Sequence, residues 1–349
     1  MKKILVIQKK RIGDVLTSTV IFEALKEKYP VSELHYLIYP NAIAVVKNNP
    51  FVDKIMVMDN KTRKSKIAFV TFLFAIRKQK FDIVVDAYGK PNSVLIGWFS
   101  GAKKTITFKK NYADFLYSDT INRTEKSFSV ATRAIEHRMQ LLEPLGISFS
   151  PIAPRLIITD EELAFAKLDL VASKISLDLP IIMISAVGSN NLKTYPIDYL
   201  SKLIDEIAAL KKVQILFNYL PDQKEIALEL YNLCNGDSKK MIFIDFYKEN
   251  LREFLAVTKL CVALIGNEGG ATNMAKAMEV PTFTIFSPSV PKEDWNMFEN
   301  ETTNISVHIN DYKKAAIITT QEIETKLSYD EFEPSLFMNK FTKFINLNI

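Results

Sequence analysis

The sequence is poor in cysteine and histidine and has no long apolar run, and each shortage excludes a class of protein. It has two cysteines, Cys234 and Cys261, and three histidines that form no cluster with ligand spacing. Isolated cysteines in apolar surroundings predict reduced core thiols and an intracellular protein, and scattered histidines predict that there is no metal site. The most apolar helical stretch, "IAFVTFLFAI" (67–76), is about half as long as a bilayer crossing requires, and the apolar run at 4–7 is too short for a signal peptide.

Both common nucleotide-binding fingerprints are also missing. No G-x-G-x-x-G follows the first predicted strand of either half, which argues against a dehydrogenase with a dinucleotide cofactor. No G-x-x-x-x-G-K-[ST] occurs, which argues against a P-loop ATPase. We therefore expect no cofactor, and a phosphate group of a ligand must be held by a different arrangement.

The length and the charge distribution indicate two domains of unlike charge. A chain of 349 residues with 48% hydrophobic and 24% charged residues is typical of a globular protein and is too long for one ordinary core. Residues 1–155 carry 26 lysines and arginines against 13 aspartates and glutamates, whereas residues 156–349 carry 19 against 27. The basic half indicates an anionic partner: nucleic acid, a phospholipid surface or a charged glycolipid. Nucleic acid is disfavoured because no aromatic platform or reader motif accompanies the basic residues.

Strand and helix patterns alternate through both halves, which predicts two doubly wound α/β domains. Parallel sheets covered by helices produce this alternation, and a ligand cleft is expected at the carboxyl ends of their strands. The proline-rich stretch "SFSPIAPRL" (148–156) indicates the connection, so we predict domains at 1–155 and 156–330. Residues 331–349 predict a helix whose apolar face packs on a domain, with the first domain as its candidate partner.

The individual elements follow from hydrophobic periodicity. Strands are predicted at 3–8, 33–39, 54–59, 82–89 and 104–108 in the first half, and at 180–188, 213–219, 241–245, 261–267 and 281–287 in the second. Helices are predicted at about 14–29, 42–49, 65–79, 92–100, 127–145 and 160–175.

One carboxylate stands at a strand-to-helix turn near the start of the chain. In "QKKRIGDVL" (8–16), Asp14 directly follows Gly13 and lies close to Lys10 and Arg11. Asp14 could be a helix cap, because aspartate is favoured at a helix start and suits the positive end of the helix dipole. It could also be a catalytic base held beside an anionic substrate. The residues by themselves favour the cap.

Two polar loops in the second half suit a diphosphate. "GSNNLKT" (188–194), the lysine loop, follows a strand and places Lys193, with Ser189, within reach of a phosphate. "GNEGGA" (266–271), the glycine turn, opens a helix whose free backbone N–H groups can bind an anion. Each signal is weak alone, because most surface lysines are only solvated and glycine-rich turns are common. Two such loops at strand ends of one domain suggest a diphosphate clamp.

Four stretches, in order along the chain, resemble glycosyltransferase family 9, the heptosyltransferases that add heptose to the inner core of lipopolysaccharide. They are "RIGDVLTSTVIFEALKEKYP" (11–30), "HRMQLLEPLGI" (137–147), "LKTYP" (192–196) and "GNEGGATNMAKAMEVPTFTIFSPS" (266–289). The resemblance covers nearly the whole chain. It implies the GT-B fold, in which two Rossmann-like domains face each other across a cleft. It also implies an inverting, metal-independent transfer of a heptose or related sugar from an ADP-sugar to an inner-core lipopolysaccharide acceptor.

Carried over residue by residue, the resemblance assigns roles in both halves. Asp14 corresponds to the general base for the acceptor hydroxyl, which reverses the preference for a cap, and Lys193 corresponds to the lysine on the donor diphosphate. Glu268 occupies the acidic position that contacts donor sugar hydroxyls. The acceptor side then includes Lys10, Arg11 and Gly13, and the donor side includes Gly188, Ser189, Glu225 at the ribose, and Gly269, Gly270 and Ala271 at the diphosphate.

Three positions on the donor side depart from the family's pattern. Glu268 stands where the family usually has Asp, Asn273 where it has His, and Ser287-Pro288-Ser289 where it has a Gly-Pro-Thr-like turn. The donor sugar and its base therefore stay open. Two alternatives to the heptosyltransferase remain: a divergent or epimerase-like GT-B enzyme that uses another nucleotide sugar, and a protein that binds a nucleotide sugar without chemistry.

The resemblance supplies a partner for the basic half. An inner-core acceptor carries lipid phosphates and sugar carboxylates at the inner membrane, so we expect a cytoplasmic protein with peripheral contact with that membrane. The stretch "KTRKSKIAFVTFLFAIRKQK" (61–80) pairs basic flanks with an apolar middle and is the candidate contact. The alternative, which the residues favour slightly, is a buried helix at 67–76 with solvated ends.

Overall fold

The computed structural model describes residues 1–110, 112–313 and 328–349, and the chain divides into two compact units, Met1–Ile157 and Ile158–Ile349. Each unit contains one parallel β-sheet with helical connections. Part of the predicted second domain, residues 314–327, lies outside the described residues. No helix in the described part of the chain is both long enough and apolar enough to cross a bilayer.

The sheet of the first unit is built around a central buried strand. Its strands are β1 (Lys2–Ile7), β2 (Ser32–Ile38), β3 (Lys54–Val57), β4 (Ile83–Asp86), β5 (Lys104–Phe108) and β6 (Asp119–Ile121). Their order is β3-β2-β1-β4-β5-β6, and all neighbours are parallel. Ile4 to Ile7 of β1 are fully buried, as expected for a strand that helices cover on both faces. The short strand β6 was not predicted from the sequence.

Two helical predictions in the first fifty residues differ from the structure. The single helix predicted at 14–29 is two helices, because the hydroxyls of Thr17 and Ser18 bond back to the carbonyls of Gly13 and Asp14 and interrupt the regular ladder. The predicted 42–49 segment is a 3₁₀ helix, Pro40–Val45. The helices are α1 (Ile12–Thr17), α2 (Val20–Lys28), α3 (Asn60–Lys64), α4 (Lys66–Lys78), α5 (Pro91–Ser100) and α6 (Thr132–Gln140).

The helix predicted at 127–145 is shorter because its amino-terminal part folds back onto it. Glu136 is fully buried on α6, and its Oε1 accepts hydrogen bonds from the backbone of Phe128 and Ser129 and from the hydroxyls of Ser127 and Ser129. These bonds hold 127–129 as a loop, so the helix begins only at Thr132.

The described residues of the second unit form a five-stranded parallel sheet. Its strands are β7 (Ile181–Ser185), β8 (Gln214–Asn218), β9 (Ala263–Asn267), β10 (Thr282–Ile285) and β11 (Asn304–Val307), in the order β11-β10-β9-β7-β8. The strand predicted at 241–245 is wrong, since only Ile242 forms a bridge, to Ile215. Asn235 caps the preceding helix through the backbone N–H groups of Asp237 and Ser238, and that helix continues to Met241. The strand β11 was not predicted.

The carboxyl-terminal helix belongs to the core of the second unit. The helices of this unit are α7 (Asp160–Ala172), α8 (Ile197–Leu210), α9 (Lys224–Leu233), α10 (Gly236–Met241), α11 (Leu251–Leu260), α12 (Gly270–Ala277), α13 (Lys292–Trp295) and α14 (Met338–Asn348). Phe341 and Phe344 of α14 pack on Phe283 of β10, with ring centroids 5.0 and 5.6 Å apart. The structure thus places the apolar face of this helix in the second unit, whereas the sequence suggested packing on the first.

Each sheet reverses its chain order at one place, and the polar turns follow the strands on either side of it. In the first unit the reversal lies between β1 and β4, and in the second between β7 and β9. Asp14 follows β1, the lysine loop follows β7 and the glycine turn follows β9. Open parallel sheets bind ligands at the carboxyl ends of the strands beside such a reversal. The topology therefore indicates these three turns as candidate ligand-binding positions.

Candidate active site

Asp14 is not the cap of its helix. The cap position of α1 is Arg11, and no side chain caps it; Arg11 has φ of 62°, a conformation that is uncommon for a residue with a Cβ atom. The Oδ1 atom of Asp14 instead accepts a hydrogen bond from Nη2 of Arg138 at 2.7 Å. Its Oδ2 has no hydrogen-bond partner among the described residues and the side chain is partly exposed. One oxygen is held and the other is free to accept a proton.

Arg138 is a partner of Asp14 that the sequence analysis missed. It lies on α6, where its Nη1 donates to the carbonyl of Ala134 at 2.7 Å and its Nε to the hydroxyl of Ser18 at 3.1 Å. These bonds fix the guanidinium beside Asp14, which is 124 residues away in sequence. Only the motif "HRMQLLEPLGI" marked this helix, and nothing in the motif singles out its arginine as a partner of Asp14.

Cations without carboxylate partners accompany Asp14. Lys10 and Arg11 are exposed, and neither forms an ion pair with any described residue. The guanidinium of Arg123 lies 4.3 Å from the ring centroid of Phe108 and, within the described ranges, donates no hydrogen bond to the protein. Burial lowers the pKa of Arg123, the nearby Arg138 guanidinium lowers it further, and the nearby Asp14 carboxylate partly opposes both. Such donors are suited to bind phosphate or carboxylate groups.

In the first unit, the two strands beside the reversal, β1 and β4, are followed by or end at a buried charged residue. These residues are Lys9 and Asp86. Lys9, after β1, is fully buried with its Nζ 3.8 Å from Sδ of Met58. Burial lowers the pKa of Lys9 to about 8, and the nearby Asp86 carboxylate partly opposes this. Burial raises the pKa of Asp86, whose Oδ2 accepts a hydrogen bond from the Tyr117 hydroxyl at 2.6 Å. Two ionisable side chains are therefore buried close together at this strand end.

The two polar loops of the second unit meet through an ion pair. The Nζ atom of Lys193 lies 2.8 Å from Oε1 of Glu268, and the glutamate side chain is 7% exposed while the lysine is partly exposed. An ammonium group has three donors, so Lys193 retains donors for a ligand when it binds Glu268. The structure brings together the lysine loop and the glycine turn.

Two buried polar residues hold the lysine loop in place. Asn267, at the end of β9, donates from Nδ2 to the carbonyl of Ser185 at 2.8 Å and accepts from the backbone N–H of Tyr195 at 2.6 Å. The hydroxyl of Ser287 donates to the carbonyl of Leu192. The sequence analysis missed Asn267 and noted Ser287 only as a departure from the family's pattern; its hydroxyl supports the residue next to Lys193.

Two glycines of these loops are required by close backbone contact. A Cβ atom on Gly188 would lie 2.0 Å from the carbonyl oxygen of Lys193, so any side chain there would displace the lysine loop. Gly266 has φ of 125°, and its Cβ would lie 2.6 Å from the carbonyl oxygen of Ser185. Both positions therefore keep the loops close to the ends of β7 and β9.

The start of α12 presents backbone N–H groups. Gly269 is its cap residue with φ of 151°, Gly270 and Ala271 form its first turn, and no side chain caps the helix. A Cβ atom on Gly269 would meet no atom within 4 Å, so the space beside it is open. Free N–H groups and the helix dipole favour an anion here. The diphosphate contact expected here from the sequence stays a prediction.

Two other predicted donor residues form no hydrogen bond or ion pair with Lys193 or Glu268 in the described part of the chain. Ser189 is an exposed residue of the lysine loop, and Glu225 is exposed in the first turn of α9. The link between these segments is Gln223, whose Nε2 donates to the carbonyl of Gly188 at 2.7 Å. Across residues 1–110, 112–313 and 328–349, no three His, Cys, Asp or Glu side chains are grouped as metal ligands.

A family model and a known relative match most of this chain. Residues 70–325 match the model of glycosyltransferase family 9 (heptosyltransferase). Lipopolysaccharide heptosyltransferase 1 of Campylobacter coli is 25% identical over 324 residues, which cover 89% of this chain and 90% of that protein.

Two solved structures share the fold over almost the whole chain. The glycosyl transferase family 9 protein of Veillonella parvula has a TM-score of 0.76 at 18% identity, covering 98% of this chain and 97% of that one. The ADP-heptose lipopolysaccharide heptosyltransferase II of Escherichia coli has a TM-score of 0.74 at 15% identity, covering 99% of each chain. The GT-B fold class predicted from the sequence is confirmed.

Proposed function

Because this chain belongs to glycosyltransferase family 9, we propose that it transfers a heptose, or a closely related sugar, from an ADP-sugar to an inner-core lipopolysaccharide acceptor. The reaction is inverting and metal-independent. The observation that carries the proposal is Asp14, with one carboxylate oxygen bound by Arg138 and the other unbonded within the described chain. The ADP-sugar is chosen because the Escherichia coli structure with the same fold is named an ADP-heptose transferase.

Asp14 acts as the general base. The acceptor hydroxyl oxygen attacks the anomeric carbon of the donor sugar from the face opposite the diphosphate. As the new C–O bond forms, the hydroxyl proton passes to Oδ2 of Asp14. Arg138 binds Oδ1, which fixes the orientation of the carboxylate and therefore the position of Oδ2. General-base assistance of this kind is worth roughly 10²- to 10⁴-fold in rate.

Lys193 and the start of α12 stabilise the leaving group. When the bond between the anomeric carbon and the diphosphate oxygen breaks, negative charge grows on that oxygen. The Lys193 ammonium and the N–H groups of Gly269, Gly270 and Ala271 are already in place to bind this charge. Preorganised donors of this kind are usually the largest electrostatic contribution to catalysis. Glu268 orients Lys193 and can accept a hydrogen bond from a donor sugar hydroxyl.

The acceptor binds through its anionic groups at the basic turn. Lys10, Arg11 and Arg123 supply cations, none of which forms an ion pair with a carboxylate of the described residues. A Cβ atom on Gly13 would meet no protein atom within 4 Å, so the acceptor sugar can approach the backbone next to Asp14. Phosphate and carboxylate groups on the acceptor fit these cations better than a neutral oligosaccharide would.

A thermal-shift panel tests the proposed donor. The wild-type protein is heated with ADP, ADP-heptose, UDP-glucose and GDP-mannose, each at a range of concentrations. A ligand at 100 times its dissociation constant stabilises the folded state by about 2.7 kcal/mol. We expect the largest rise in melting temperature with ADP-heptose and a smaller one with ADP. A response to UDP-glucose or GDP-mannose that exceeds the response to both adenine nucleotides would contradict the proposed donor.

The first unit carries an exposed apolar surface beside basic residues, which we propose as its contact with the anionic membrane. Only Leu73 and Ile76 of α4 are buried, whereas Phe74 is 61% exposed. On α5, Trp98 is 56% exposed, and Phe99 links the two helices by packing edge-on against Phe74. The alternative, a buried helix at 67–76, is therefore wrong, because the outer face of α4 is exposed. Other members of this surface are Ile67, Val70 and Leu95, with Lys64, Lys66, Arg77 and Lys78 exposed near them in sequence.

Vesicle flotation tests this contact with a matched control. We expect the wild type to float with vesicles that contain phosphatidylglycerol and not with pure phosphatidylcholine, because apolar insertion and charge attraction act together. Phe74→Gln/Trp98→Gln should abolish flotation. Phe165→Gln/Leu168→Gln removes two equally exposed apolar side chains from α7 in the acidic unit and should leave flotation unchanged. Equal flotation of both double variants would contradict the assigned surface.

A further inference from the structure

An aromatic cluster in the second unit packs against the end of the lysine loop. Its centre is Tyr195, which is fully buried and stands two residues after Lys193. The rings around it come from α8 and from residues 329–337, a segment that we call the terminal bracket. They belong to Tyr199, Tyr329, Phe332 and Phe337, with centroids 5.7 to 6.3 Å from that of Tyr195. The cluster has no role in the function derived so far.

The Tyr195 hydroxyl joins the lysine loop to the terminal bracket. It donates a hydrogen bond to the backbone carbonyl of Phe332 at 2.6 Å, across 137 residues of sequence. Burial raises the pKa of the Tyr195 phenol, so the hydroxyl stays protonated and remains a donor. Ring packing is not directional, whereas a hydrogen bond has a preferred distance and angle. The bond therefore fixes one position of Tyr195 against the bracket.

The backbone on both sides of Lys193 is anchored. After it, the N–H group of Tyr195 donates to Oδ1 of the buried Asn267 at 2.6 Å. Before it, the carbonyl of Leu192 accepts a hydrogen bond from the hydroxyl of Ser287. The position of the Lys193 ammonium therefore depends on these anchors, and Tyr195 provides two bonds to one of them, through its backbone and through its side chain.

The terminal bracket also lies beside the acidic partner of Lys193. Burial raises the pKa of the Tyr329 phenol, the neighbouring Ser287 hydroxyl lowers it, and the nearby Glu268 carboxylate raises it. The phenol of Tyr329 is therefore close to both of these residues. One segment thus borders the Lys193–Glu268 pair from two sides, through Tyr195 at the lysine loop and through Tyr329 near the glutamate.

We propose that Tyr195 is a positioning residue, which holds the Lys193 ammonium at the place of the leaving diphosphate by bonding the lysine loop to the terminal bracket. The inference rests on the proposed function, because it gives Tyr195 an effect on transfer only through Lys193. Tyr195 is fully buried and does not itself touch the substrate. Donors that are in place before the reaction stabilise growing charge without reorganisation, and a small misplacement of such a group lowers the rate.

A double-variant cycle tests this assignment. Tyr195→Phe keeps the ring and removes the hydroxyl, and it is made both in the wild type and in Lys193→Met. For each protein, kcat/KM with ADP-heptose, the dissociation constant of ADP and the melting temperature are measured. In the wild type we expect Tyr195→Phe to lower kcat/KM about tenfold and to weaken ADP binding. In Lys193→Met we expect a further loss of less than about twofold, because no ammonium is left to position.

Tyr199→Phe is the matched control. The Tyr199 hydroxyl donates to the backbone carbonyl of Asp330 at 3.0 Å, so this variant also removes a bond to the terminal bracket but none from the lysine loop. Its kcat/KM and ADP affinity should stay at the wild-type values. The melting temperature reports any loss of stability in either variant separately from transfer and binding.

The possible outcomes separate the positioning role from the proposed function. The role of Tyr195 is overturned if Tyr195→Phe leaves kcat/KM unchanged, lowers it by the same factor in both backgrounds, or loses no more activity than Tyr199→Phe. In those cases the effect of Lys193→Met still supports the proposed function. If Lys193→Met itself keeps the wild-type kcat/KM and ADP affinity, or if the wild type binds no ADP, the proposed donor site falls and the role of Tyr195 falls with it.

Discussion

Asp14→Asn is expected to lower kcat by roughly 10²- to 10⁴-fold while donor affinity stays at the wild-type value. Asparagine has the same shape as aspartate, and its amide oxygen can still accept the hydrogen bond from Arg138. The amide cannot take the acceptor proton, so the chemical step alone is impaired. Because the Asp14 side chain is partly exposed, we expect little change in the free energy of unfolding. Steady-state kinetics, calorimetric titration with ADP-heptose and urea denaturation measure the three quantities.

A second aspartate in the same unit supplies the control. Asp59 caps α3, where its Oδ1 accepts a hydrogen bond from the backbone N–H of Thr62 at 2.7 Å. Asp59→Asn keeps a residue that caps well, so transfer and stability should both stay near the wild-type values. Turnover of Asp14→Asn within a few fold of the wild type, or a fall in its affinity for donor equal to its fall in rate, would remove Asp14 from the role of base.

Lys193→Met is expected to lower kcat/KM by roughly 10²- to 10³-fold, because it removes the cation proposed to bind the leaving diphosphate. It also leaves the carboxylate of Glu268 with 7% exposure and no partner cation. We therefore expect the free energy of unfolding to fall by about 1–3 kcal/mol. Kinetics with ADP-heptose and urea denaturation give the two effects separately.

The double variant Lys193→Met/Glu268→Gln separates stability from catalysis. A neutral glutamine no longer needs the cation, so the double variant should regain most of the lost stability and none of the lost activity. Together with the Glu268→Gln single variant, these two proteins complete a cycle that measures the coupling free energy of the pair. Lys240→Met, which breaks the exposed pair with Asp237, should change neither quantity. Recovery of activity in the double variant would mean that Lys193 acts only by neutralising Glu268.

Local patterns predicted the turns of the site but not their long-range supports. Asp14 and the glycine turn stand out because each follows a buried apolar strand and opens a helix, which a short window of sequence displays. The partners Arg138 and Asn267 act across 124 and 82 residues, and only the folded chain shows such contacts.

Errors in predicted elements have a similar cause. The apolar run at 241–245 suggests a strand. The helix that Asn235 caps instead continues to Met241, the first residue of that run. The amphipathic pattern from 127 suggests a helix, but the buried carboxylate of Glu136 binds 127–129 as a loop. In both cases a single polar side chain outweighs the periodicity of the segment, and periodicity does not register such bonds.

The departures from the family's pattern have structural roles on this chain. Glu268 reaches Lys193, Ser287 binds the backbone of the lysine loop, and Asn273 lies next to Glu268 and Gly269 of the glycine turn. All three lie around the proposed donor site. They are therefore compatible with an adjusted donor site and do not require a site that has lost its activity.

Transfer by the purified wild-type protein tests the central claim most directly. The protein is incubated with ADP-heptose and a deacylated inner-core acceptor in the presence of EDTA, and the product is analysed by mass spectrometry and by NMR of the new anomeric centre. We predict one added heptose whose anomeric configuration is inverted relative to the donor. Release of ADP with free heptose and unmodified acceptor, or a product with the donor's configuration, would contradict the account.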